Sequence, residues 1–303
     1  MKHTLSITLL LVAIFFCAQL FGLIVTNQYI DQQQTRESGN LTFRSLPYHV
    51  ERPPVQESTS FVYIIVAILI ATVLIFVLMR FRQAMLWKLW FFFAVVMCMT
   101  FTLAGFISPL LAILLSIALA IWKIWRPNVY IHNLTEVMVY PGLAAIFVPV
   151  MNVFAAFMML LIISVYDFIA VWKSGHMITL AKFQTESKVF AGLLVPYKVD
   201  ASIRPPAKPK KAQKIIQPVA KNAVLGGGDI GFPLIFAGVV MKGLVLANTP
   251  FVGFLKVLAI PICATLALLL LLLSAEKDKF YPAMPFITAG CVVGYLIVLL
   301  IGV

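Results

Sequence analysis

Two aspartates are the residues best placed to do chemistry in this sequence. The chain has 303 residues and 11 acidic side chains, so each can be placed. Asp31, Glu37, Glu51 and Glu57 fall in one polar loop, and Glu186, Asp200, Glu276 and Asp278 in others. Glu136 stands at the edge of an apolar segment, which leaves Asp167 within one apolar run and Asp229 at the start of another. A carboxyl group at membrane depth is costly and is a functional candidate by default; the plainer reading is a hydrogen bond between helices. Lys173 ends the run that holds Asp167, which puts that carboxyl about 9 Å from the end of its helix. The next apolar run begins at Asp229 and returns from the same side. The two carboxyls meet if these helices pack together. Close carboxyls in a low-dielectric site cannot both ionise, so one keeps a proton. The charged partner can act as base toward a water while the protonated one donates to a carbonyl oxygen, which is aspartic-protease chemistry. Proton relays use the same ingredients, so the pair alone leaves hydrolysis and ion transport both open.

The residues around Asp229 favour an open site. They read Leu225-Gly226-Gly227-Gly228-Asp229-Ile230-Gly231-Phe232-Pro233. Three glycines remove bulk and permit irregular backbone. Pro233 has no N–H to give to the carbonyl of Asp229, which predicts an open or kinked first turn beside the carboxyl. In a membrane such backbone is tolerated only against protein or water, so a gap for water and for a substrate backbone is expected there. The alternative is a glycine-rich helix start that serves close packing. Other catalytic systems are missing. His3, His49, His132 and His176 lie outside the apolar runs or at their edges, and neither HExxH, GxSxG nor Walker A occurs. Cys17, Cys98, Cys263 and Cys291 lie in apolar stretches without CxxC spacing, so no metal site, disulfide framework or other cofactor is indicated.

The elements that must position the pair follow from composition. Apolar residues make up 62% of the chain and charged ones 11%, against roughly 45–50% and 25% in soluble domains. One core cannot hide that much apolar surface, so lipid is the solvent. This excludes a soluble enzyme, a disordered chain and a collagen. An all-α polytopic fold is expected, with nine transmembrane helices starting near Thr4, Ser60, Leu89, Ile107, Leu134, Val153, Ile230, Phe251 and Pro285. The fifth is weakened by Pro141. With the N-terminus in the cytoplasm, 18 Lys and Arg lie inside and 5 outside, as the positive-inside rule requires; the C-terminus is then outside. The net charge of +12 thus belongs to cytoplasmic loops facing the bilayer, not to nucleic-acid binding. Three parts follow: residues 1–173 with six helices, 174–224 as a basic cytoplasmic loop, and 225–303 with three helices. The middle of that loop, Arg204-Pro205-Pro206-Ala207-Lys208-Pro209-Lys210-Lys211, reads as a flexible linker. Its apolar stretch Val189 to Tyr197 could add a strand to a substrate.

At this point the motifs carry a resemblance. Val165-Tyr166-Asp167 resembles the YD motif of presenilins and signal peptide peptidases, and Gly226-Gly227-Gly228-Asp229 resembles their GxGD motif. Pro282-Ala283-Met284 resembles their PAL motif, with Met for Leu, a small change in volume and apolarity. Order, span number and spacing agree over essentially the whole chain, and the short loops resemble an archaeal or bacterial homologue of presenilin, in a prokaryotic cell membrane. Phe168 after Asp167 is presenilin-like, whereas Ile230-Gly231-Phe232-Pro233 is closer to the peptidase branch. The resemblance implies an intramembrane aspartyl endopeptidase that cuts transmembrane-helix substrates, with Asp167 and Asp229 as the catalytic pair. It also implies that Pro282, Ala283 and Met284 shape the substrate cleft, beside Gly226, Gly227 and Gly228. Tyr166 either bonds near the pair or packs as one more aromatic. A prepilin-type peptidase also uses GxGD, but Lys usually stands where this chain has Gly231. A proton-coupled carrier or ion-leak channel is the other rival, and no inverted repeat supports it. Gly290 and Gly294 form GxxxG and are assigned to helix packing.

The charge count makes a direct prediction. A cysteine placed at Ser202 should react with a membrane-impermeant maleimide only after the cytoplasmic face is opened. Labelling from outside in intact cells would invert the topology.

Overall fold

The computed structural model describes residues 4–81, 83–126, 128–174, 190–198, 220–276 and 281–302. Its helices are α1 (Leu5–Tyr29), a short α2 (Gln32–Ser38), α3 (Ser60–Arg80), α4 (Ala84–Ala104), α5 (Pro109–Trp125), α6 (Val129–Phe147) and α7 (Val153–Phe168). After a β-hairpin come α8 (Gly227–Ala247), a short α9 (Pro250–Val257), α10 (Ala259–Ser274) and α11 (Met284–Ile301). Among the described residues, eight helical stretches are long and apolar enough to cross a bilayer, with α9 and α10 counted as one stretch. The apolar α5 is shorter, at 17 residues. Eight of the expected segments are thus of spanning length, with different edges, and the one expected near Ile107 is the shorter α5.

The edges moved for local reasons. α6 begins five residues before the expected Leu134, because the Asn128 side chain accepts the Tyr130 N–H and caps the helix there. It also runs through Pro141 without breaking. α8 begins at Gly227 with Gly226 as its N-cap, and Pro233 lies inside it.

The fold is not purely helical. β1 (Gly192–Lys198) pairs antiparallel with β2 (Ala220–Gly226), from Gly192 opposite Gly226 to Lys198 opposite Ala220. The segment 174–224, expected as a flexible loop, therefore contributes strands at its described parts. Alternating apolar residues explain this: Leu193, Val195, Ala223 and Leu225 are all buried. The linker-like stretch around Pro205 and Lys208 lies outside the described residues.

α8 is the centre of the assembly. Of its 21 residues 15 are buried, and α1, α6, α7, α9, α10 and α11 all pack on it. Its neighbours leave large apolar side chains on the outside, among them Leu300 at 87% and Phe251 at 70% exposure, as a lipid-facing surface should. α3 is the contrast: Ser60 and Ile64 are its only buried residues among those described, and it touches the rest mainly through α4 and α7.

Lipid gives helices no hydrophobic reason to associate, so close packing must do it. α10 and α11 meet at Gly290 and Gly294. A methyl added at Gly294 would stand 2.5 Å from Ile260 Cα, and one at Gly290 would stand 2.7 Å from the Cys263 carbonyl oxygen. Gly294→Leu should therefore force the two backbones apart and lower stability by about 1–3 kcal/mol or more, read as a fall in Tm in detergent. Gly243→Ala, where no atom lies within 4 Å of the new methyl, should leave Tm unchanged or slightly higher.

Candidate active site

Asp167 lies in the last turn of α7, and the helix then widens into a π-helical turn, Ile169–Ser174. Such widening frequently marks functional sites. The Asp167 carboxyl is buried, at 5% exposure. Its Oδ2 accepts the backbone N–H of Met284 at 3.1 Å. Met284 is the first residue of α11, so the carboxylate sits at the positive end of a helix. One turn back on α7, the Ser164 hydroxyl meets the Thr288 hydroxyl of α11 at 2.7 Å, also buried. Two polar contacts a turn apart thus fix α7 against α11, and with it the Asp167 carboxyl.

Asp229 is the third residue of α8 and is buried, at 9% exposure. Unlike Asp167, it stands in the first turn of its own helix, and a methyl added at Gly226 would lie 3.2 Å from its carboxylate oxygen. The Gln19 side chain donates to the Ile230 carbonyl at 2.8 Å and ties α1 to this turn. α7 packs directly on α8. Asp167 and Asp229 line one cavity of about 1250 Å³ and are close enough for their charges to interact.

The other residues expected at the site divide. Gly226, Gly227, Gly228 and Ala283 line the same cavity. Pro282, Met284 and Tyr166 lie outside its lining. Met284 turns its side chain into the core, at 2% exposure, and meets the site through its backbone. Tyr166 is half-buried beside Asp167. Gly227 is the strictest of the three glycines: a methyl there would stand 2.9 Å from Tyr140 Oη. At Gly228 the nearest atom, on the Phe232 ring, would be 3.1 Å away.

A third buried carboxylate was missed by sequence reasoning. Glu136 is 1% exposed and lines the cavity. It pairs with the buried Lys123 of α5, accepts the Tyr140 hydroxyl, and accepts the Gly192 N–H at 2.9 Å. Placing the start of the span at Leu134 left Glu136 at the membrane edge. With α6 starting at Val129, Glu136 lies about 10 Å into the helix. The legible signal was an opposite charge, Lys123, near the end of the preceding apolar helix at the same side.

The largely apolar cavity thus joins two buried aspartates, Asp167 against the N-terminus of α11 and Asp229 in the first turn of α8, to the turn at Gly226, Gly227 and Gly228. The sequence matches the model of the family described as signal-peptide peptidase, presenilin aspartyl protease over residues 40–303. No individual curated protein matches by sequence. The fold is similar to that of a presenilin family intramembrane aspartate protease in two crystal forms. The C222 form matches with a TM-score of 0.60 at 17% identity, covering 96% of this chain and 99% of that one. The P2 form gives 0.60 at 16% identity, covering 100% and 99%. At that identity the structures speak for a shared fold, and the match over residues 40–303 speaks for the family. The chain belongs to the signal-peptide peptidase, presenilin aspartyl protease family and is an intramembrane aspartyl protease.

Proposed function

We propose that this protease cuts peptide bonds within the transmembrane helices of membrane-protein substrates, using Asp167 and Asp229 as a single catalytic unit. The observation that carries the reading is that both carboxyls line one cavity, walled by glycine backbone and by the weakly packed α3. With α5 counted as a span at the lower limit of length, the chain crosses nine times with its N-terminus in the cytoplasm. The pair then lies toward the cytoplasmic face. Family membership favours hydrolysis over the carrier reading.

The chemistry needs one proton shared between the two carboxyls. The ionised Asp takes a proton from a water held between them, and the water oxygen bonds to the scissile carbonyl carbon. The protonated Asp gives its proton to the carbonyl oxygen, which yields a neutral tetrahedral diol. The first Asp, now protonated, passes its proton to the amide nitrogen as the C–N bond breaks. One diol O–H returns its proton to the second Asp, which leaves a carboxylic acid, an amine and the starting protonation of the pair. The Met284 N–H at the Asp167 carboxylate orients it, which is preorganisation of the kind that lowers barriers.

A substrate helix hides its carbonyls in its own hydrogen bonds, so it must open first. Each backbone group freed in hydrocarbon costs several kcal/mol unless replaced. β2 ends at Gly226, three residues before Asp229, and offers replacement partners beside the pair. α3 is the wall with the fewest packing contacts to part as the substrate enters.

Asp167→Asn and Asp229→Asn should each lower cleavage of a transmembrane peptide by about 10²–10⁴-fold or more. Elution and Tm in detergent should stay those of the wild type. The assay, in detergent or liposomes with and without a transition-state isostere, separates protease from carrier. Substantial isostere-sensitive cleavage by either folded variant would remove the pair from the mechanism. A substrate span with Gly or Pro near its cytoplasmic end should be cut faster than the same span with those residues changed to Leu. Equal rates would show that unwinding does not limit the enzyme.

A further inference from the structure

β1 has two edges, and both are occupied. One pairs with β2. The other faces the first two turns of α6, where side chains take the place of a strand. His132 Nε2 donates to the Gly192 carbonyl at 2.8 Å, and Gly192 N–H donates to Glu136 Oε2 at 2.9 Å. Asn133 Nδ2 donates to the Leu194 carbonyl at 2.8 Å, and Leu194 N–H donates to Asn133 Oδ1 at 2.9 Å. The Asn133 amide therefore offers a donor and an acceptor side by side, as a peptide group of a third strand would. The alternation is that of a real ladder. Gly192 and Leu194 address α6, while Ala191, between strand and loop, turns the other way and accepts the Gly227 N–H at 3.2 Å.

This edge is connected to the catalytic turn. Glu136 is held by Lys123 and by Tyr140, and the Tyr140 hydroxyl stands against Gly227, two residues before Asp229. Lys123 in turn lies over the Phe91 ring of α4, 5.3 Å from its centroid. The hairpin is thus clamped from the side opposite to β2 by three residues of one helix, itself braced by α4 and α5.

The geometry points to His132, Asn133 and Glu136 as positioning residues that hold the β1–β2 hairpin as a preformed docking edge beside Asp229. The inference rests on the proposed cleavage of transmembrane helices, and it assigns α6 a share in substrate alignment. A strand template fixed before the substrate arrives costs nothing to order on binding. A template free to swing must be ordered by the substrate and presents neighbouring peptide bonds to the aspartates.

Asn133 is the residue to change, because it carries two of the four bonds and no charge. Breaking the buried Glu136–Lys123 pair would confuse positioning with global destabilisation. In Asn133→Leu, KM for a transmembrane peptide should rise about tenfold, as for loss of preorganisation worth one to two hydrogen bonds. kcat should change little, and mass spectrometry should show product ends spread over adjacent bonds. Amide hydrogen exchange across Gly192–Lys198 should speed up by about tenfold. Asn133→Gln, which restores an amide at greater reach, should recover part of both effects. A merely structural role would lower the active fraction while leaving KM and product ends in place. Unchanged KM, product ends and exchange in N133L would overturn the assignment. If the wild type cuts no transmembrane peptide, the protease reading fails, and hydrogen exchange alone then decides whether α6 clamps the hairpin. Should N133L not assemble, Asn133→Ala is read by the same measurements against the same outcomes.

Discussion

Inside a bilayer there is no water to satisfy a stray polar group, and the polar interior of this protein is arranged around that constraint. Asp167 takes its hydrogen bond from the first N–H of α11, and Asp229 sits in the first turn of α8. The Asp167 carboxyl uses a donor that a helix leaves unpaired at its start in any case. One deficit cancels another there, so the α7 acid is held without an additional buried side-chain donor. The same exchange occurs at Gly192 and Leu194, whose outward backbone groups would be orphans at the edge of a two-stranded sheet and are met by α6 side chains.

Packing follows from the same economy. α8 carries the Gly-rich start and Asp229, and it is surrounded by six other helices. Two of its glycines leave room for neighbours: Gly227 lies against Tyr140, and Gly238 against Val148. α11 carries Met284 and is held on α10 by glycines and on α7 by the Ser164–Thr288 contact. The two carboxyls are therefore positioned by helices that are themselves wedged in place. α3, largely exposed, is the exception, and it closes one side of the cavity. Rigid support around the acids with a loose wall beside them suits the proposed entry of a substrate helix.

Much of this was legible in the residues. Apolar runs near spanning length marked the helices, since a bilayer sets element length directly. Asp167 and Asp229 stood out because a carboxylate in an apolar run demands a reason. Gly290 and Gly294 marked a close helix contact, and that contact exists. Helix edges were less legible. A cap such as Asn128 is a single side-chain bond that average hydropathy does not register, and the error at that edge hid Glu136.

What the sequence determined by itself was the solvent and the class of fold, and it singled out two acids in apolar runs, because each is written in residue type and local period. Tertiary structure alone decided the rest. That Met284 serves the site through its backbone and not its side chain depends on how α11 meets α7. That the second edge of β1 is closed depends on α6 supplying partners at Gly192 and Leu194 from more than fifty residues away. That Glu136 is a buried hub depends on Lys123, Tyr140 and Gly192 converging on one carboxylate. Long-range partners of this kind leave no period in the chain, since a hydrogen bond is fixed by the approach of two elements and not by the spacing within either.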